Sequence, residues 1–180
     1  DPCRMRPDNS HEISHIFEFP NDVPQVPAAA EYAEHGGTAA RKHGHRRQVP
    51  HLHDQTLQGR LAGQDDKARQ TLEKGLEMAE RYGMRFYVGF ARRLLGEMDL
   101  KTNPSQAEIH FERSIAVLQE IKAENELALA YKGHGCLHKQ QNQIAQAKEY
   151  LVKALKIFER LGTLLEPDKV REILAELPEA

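Results

Sequence analysis

The chain has no tryptophan and only two cysteines, Cys3 and Cys136, among 180 residues. Two distant thiols cannot build a disulfide framework, and they are too few for a cysteine-based zinc site. A reducing, cytoplasmic setting is therefore expected. Long apolar runs are missing too. A run such as 86–91 is far too short to span a bilayer. The N-terminus has no apolar stretch of signal-peptide length, and no membrane partner is expected. Excess charge of one sign is also absent: 25 basic side chains face 27 acidic ones, for a net charge of −2. That balance argues against a protein that coats nucleic acid or an anionic membrane. Position 1 is Asp rather than Met, which points to a fragment or a processed product.

One absence divides the chain. Residues 1–51 contain no leucine, whereas residues 52–180 contain 19. Six of the nine prolines lie in the first 50 residues, and seven of the ten histidines in the first 53. A leucine-free segment broken by proline cannot supply a helical core stripe. Residues 1–50 are expected to be irregular or disordered, with short helices at most near 8–18 and 28–35. A disordered linker, the edge of a larger domain and an out-of-frame translation each explain such a shift. The ordered domain is expected over 51–177.

That second part repeats itself. Three stretches align without gaps: Ala68-x3-Leu72-x2-Gly75-Leu76, Ala107-x3-Phe111-x2-Ser114-Ile115 and Ala147-x3-Leu151-x2-Ala154-Leu155. Each places small and large apolar residues alternately along one helical face. The periods are 39 and 40 residues. A second helix is expected ahead of each, over 86–100 and 126–141, with remains of an earlier one near 51–62. These helices share a central small pair, Ala91 with Gly96 and Ala130 with Gly135. Glycine inside a helix costs about 1 kcal/mol relative to alanine, so its recurrence predicts a close helix–helix contact. Asn103-Pro104-Ser105-Gln106 reads as a capped helix start. Asp65 and Asn142 are candidate caps for the equivalent helices. Gly83 and Gly162 are candidate stops. Pro167 opens a last helix whose Val170, Ile173, Leu174 and Leu177 form one stripe, suited to cap the stack.

The pattern resembles the tetratricopeptide repeat, most closely in the third unit, with Tyr131, Gly135, Ala147, Leu151 and Ala154. The second unit keeps Gly96, Ala107 and Phe111 but has Arg92 and Ser114 at two family positions. The period exceeds the usual 34, and the resemblance covers about 57–177. It implies an all-α superhelix of antiparallel hairpins that binds other proteins and performs no catalysis. A narrower resemblance lies in Gly83-Met-Arg-Phe-Tyr through Leu94-Leu95-Gly96-Glu97, in 124–131 and in Phe158-Glu-Arg-Leu-Gly162-Thr. These runs are similar to repeats that end large bacterial signalling proteins carrying a class III adenylate/guanylate cyclase domain and an AAA-type ATPase domain. It implies catalytic domains upstream of this fragment.

In the repeat family the first helices of successive hairpins line a concave groove. The corresponding residues here are Phe90, Arg93, Glu97 and Lys101, then Leu129, Lys132, Cys136, Lys139 and Gln140. Four of them are basic, which suits an acidic peptide segment of a partner protein. Ordinary solvated lysines on an amphipathic helix explain the same pattern. Two and a half repeats are near the minimum for a continuous core, so stability is expected to lean on further repeats or on self-association.

Other chemistry is thinly represented. His11-Glu12-Ile13-Ser14-His15 matches HExxH, in which two histidines one turn apart bind zinc. No third ligand stands at a recognised spacing, so a zinc hydrolase is a remote alternative. His43, His45, His51 and His53 lie beside Arg41, Lys42, Arg46 and Arg47, a composition typical of a solvated linker. No phosphate-binding loop is present, and Gly133-x-Gly135 falls inside an expected helix rather than after a strand. No cofactor is expected. His134 and His138 share a helical face without completing a ligand set. Cys136 has no activating base nearby in sequence and reads as a passive thiol.

Overall fold

The computed structural model describes residue 49 and residues 51–52, 54–59 and 63–178. The expectations for 1–48, including the His11/His15 pair, lie outside the described residues. Six helices follow one another: α1 (Asp65–Arg81), α2 (Arg85–Asp99), α3 (Pro104–Glu120), α4 (Glu124–Gln140), α5 (Ile144–Leu161) and α6 (Glu166–Ala175). Helical residues at 49, 51–52 and 54–59 precede them. The described residues contain no strand and are all-α. No helix among them is long and apolar enough to cross a membrane.

The helix boundaries have local causes. Asn103 caps α3, its side-chain oxygen accepting a hydrogen bond from the Gln106 amide at 3.3 Å, with Pro104 just inside the start. Gly83 and Gly162 take left-handed backbone angles after α1 and α5, with φ of 65° and 68°. Lys122 holds the equivalent position after α3 with φ 57°. The expected caps at Asp65 and Asn142 are corrected. Asp65 is already the first residue of α1, behind Gln64. Asn142 instead forms the left-handed turn residue, φ 59°, and Gln143 stands at the start of α5. Asn tolerates that conformation better than most residues.

Short links fold the helices into hairpins. α2 packs most extensively on α3, and α4 on α5. Both pairs are antiparallel, because the start of one helix meets the end of the other: Arg85 pairs with Glu120, and Glu124 with Arg160 at 2.9 Å. α3 meets α4, α5 meets α6, and α2 also reaches α4. The core is a chain of adjoining clusters. One joins Leu72, Leu76, Phe90, Ala91, Leu94 and Leu95; a middle one joins Leu100, Ala107, Phe111 and Leu137. The largest runs from Leu118 through Leu151 and Phe158 to Ile173 and Leu177.

The interior glycines make the hairpins close. A Cβ on Gly96 would stand 2.9 Å from the Phe111 ring, and one on Gly135 would stand 2.7 Å from Leu151 Cγ. Real Cβ atoms do not approach so near, so the bulky residue of the second helix sits where a side chain on the first is missing. Ser114, at the small position of α3, adds a buried hydrogen bond to the Gly89 carbonyl at 2.7 Å.

Candidate functional site

The nine residues expected to line a groove divide by depth. Lys101 and Gln140 are exposed, and Glu97, Leu129, Lys132 and Lys139 are partly exposed. Phe90, Arg93 and Cys136 are buried. The expectation that Arg93 offers an open cation is therefore corrected. Its side chain lies beside Phe90 and between two carboxylates, Glu97 one turn on and Glu126 of α4. Burial works against its charge, but Glu126 and Glu97 outweigh it and hold the guanidinium protonated above its ordinary range. Cys136 belongs to the core cluster rather than to a surface, and the expectation of a passive thiol is corrected, since it is disulfide-bonded.

The lysines are engaged as well. Lys132 donates to Glu166 at 2.5 Å, and Lys139 pairs with Glu176. These two contacts lay α6 parallel to α4. Burial opposes the charge on Glu166, yet Lys132 and Lys169 keep its carboxyl below the usual range. Lys101 is exposed and has no ion pair among the described residues. Apart from Lys101, the cations of this surface are thus neutralised in pairs.

The pairs recur in register. Arg93 and Lys132 are 39 residues apart, and their partners Glu126 and Glu166 are 40 apart. The first bond links α2 to α4, the second α4 to α6. Glu80 pairs with Arg92 at 2.6 Å, and two periods later Glu159 pairs with Arg171 at 2.6 Å. Arg85–Glu120 recurs as Glu124–Arg160 with the charges exchanged. Hence α6 stands where the first helix of another hairpin would stand. The rung before Arg93 falls on Asp54; burial first, and the Asp54 carboxylate second, raise the pKa of the Tyr87 phenol. Sequence reasoning missed Glu126, Glu166 and Glu176. Applying the 39- and 40-residue offsets to charged positions would have found the first two.

Behind this surface lies a stack of rings. His134 of α4 is 2% exposed. Its centroid is 4.3 Å from Tyr150, 4.5 Å from His138 and 5.9 Å from Phe111. Neither of its nitrogens has a hydrogen-bond partner. Among the described residues no group of three His, Cys, Asp or Glu side chains is placed to hold a metal ion. No family model, no curated protein and no solved structure matches the chain.

Proposed function

We propose that the chain is a protein–protein interaction module built from tetratricopeptide-like repeats, a scaffold or regulatory part with no catalysis of its own. The recurrence of the α2–α4 ion pair as an α4–α6 ion pair carries the reading. Bonds that repeat at the period of the sequence are what stacked, equivalent hairpins require, since each repeat meets only its neighbours. In the resembled family this stacking forms a right-handed superhelix, with α2, α4 and α6 along its inner wall. The partner is a protein segment lying over Glu97, Lys101, Leu129 and Gln140. The acidic-peptide expectation narrows to Lys101, because the other groove cations already have carboxylate partners within the chain.

The immobilised full chain tests this when compared with a Lys101→Glu/Leu129→Asp variant. A protein retained by the wild type and lost by the folded variant is expected. Equal retention by both, or none above bare resin, overturns the groove reading. Self-association is proposed alongside and is read by sedimentation equilibrium. The narrower resemblance adds a proposal about the parent, a cyclase or ATPase signalling protein; coding DNA read upstream, in all frames, tests that.

A further inference from the structure

We propose that the buried rings of His134, His138 and Tyr150 form an acid-sensitive latch, in which a proton arriving on His134 releases α4 from α3 and α5. The geometry gives the reason. His134 is packed on three sides by Phe111 of α3, Tyr150 of α5 and His138 of its own helix. Native structures rarely leave buried polar atoms unpaired; here both ring nitrogens are. A neutral imidazole tolerates this arrangement as an aromatic ring. An imidazolium there would carry two unmatched donors and a full charge in an apolar setting, at a cost that favours opening to water.

The surrounding charges do not offset that cost. From α3 comes the uncharged Phe111, while Glu112 acts on Tyr150. From α5 come Tyr150 itself, Lys153 against its ring at 5.0 Å, and Glu149, which pairs with Lys153. On α4, Tyr131 lies 6.0 Å from Tyr150, and His138 bonds Gln143 through Nδ1 at 2.5 Å. No carboxylate on any of these helices, nor on α2 or α6, acts on His134; burial and then His138 push its pKa down to about 4. The sign follows. An unfolded chain takes up this proton near the ordinary 6.5, the folded chain only near 4. Stability is therefore full above about pH 6.5 and falls as pH drops toward 4. Between about pH 7 and pH 5 the loss in the folding equilibrium constant is roughly 20-fold. The helices that come apart would be α4 and α5, which together hold most of the largest core cluster.

Urea unfolding of the full chain at about pH 7 and pH 5 tests this, comparing the wild type with His134→Phe and His134→Leu. The ratio of wild-type to variant stability should fall roughly 20-fold on acidification. Identical pH profiles overturn the latch. If neither variant folds, the ring Cε1–H resonance of His134 is followed in the wild type. A ring that stays neutral until the α4–α5 amides lose exchange protection supports it. A ring that titrates near 6.5 with those amides still protected overturns it.

Discussion

The two rungs that join successive first helices differ in depth. Arg93 and Glu126 retain 6% and 10% side-chain exposure, whereas Lys132 and Glu166 retain 21% and 22%. The inner rung sits between two hairpins, the outer one under the last helix. A buried pair depends on both members, because removing one strands a charge away from water. A half-wet pair lets water replace the lost partner. The comparison predicts that Arg93→Met is the most damaging change considered, costing about 3–5 kcal/mol in urea unfolding. Replacing Glu126 by Leu in the same chain should restore part of that loss, since the deeper of the two stranded carboxylates is gone while the more exposed Glu97 remains. If the double variant is as unstable as the single one, Arg93 acts through packing on Phe90 rather than through charge.

Next in size is a contrast between glycines. A Cβ on Gly133 would fall 2.5 Å from the Phe111 ring, whereas one on Gly83 would meet nothing within 4 Å. Gly133→Ala must displace Phe111 from between the hairpins and should cost about 1–3 kcal/mol. Gly83→Ala has only its left-handed backbone to accommodate, at roughly 1 kcal/mol. Thermal melts of both variants give the order. Lys132→Met should cost less still, under about 1 kcal/mol, since the outer rung is partly solvated and Lys169 remains beside Glu166.

The same distinction explains what the sequence showed and what it hid. Helix positions were legible because Ala107, Phe111 and Ser114 repeat the spacing of Ala147, Leu151 and Ala154, and that spacing fits only one periodicity. Gly96 and Gly135 were legible as contact points for the same reason. The depth of Arg93 was not. An arginine on an amphipathic helix reads as solvated, and its burial depends on Glu126, a residue 33 positions away that belongs to the next hairpin. Lys132 was misjudged likewise, through Glu166. Apolar residues announce a buried face by their own chemistry, whereas a charged residue does so only through its partner. His134 stood between these cases: its face was readable, but its lack of partners required every neighbouring helix to be in place. Asn142 shows a smaller failure, since one residue type serves both as helix cap and as left-handed turn.

The smallest effect separates two carboxyls that the fold holds below their ordinary pKa. For Glu124, whose side chain is more exposed than that of Glu166, hydrogen bonding to Arg160 is responsible. For Glu166, burial opposes the shift and Lys132 with Lys169 overcome it. A carboxyl whose folded pKa is lowered adds stability that is full above its unfolded value, near 4.5, and drains as pH falls through the folded value. Both should therefore contribute to acid loss below about pH 4.5. Salt should divide them. Solvated pairs are screened at distances of about a Debye length, near 3 Å in 1 M salt, while partly buried ones are screened much less. In high salt, Arg160→Ala should leave the acid limb of the stability curve unchanged. Lys132→Met should still flatten it. If salt erased both differences equally, Glu166 would be as wet as Glu124, and the contact of α6 with α4 would be looser than its two lysine bonds imply.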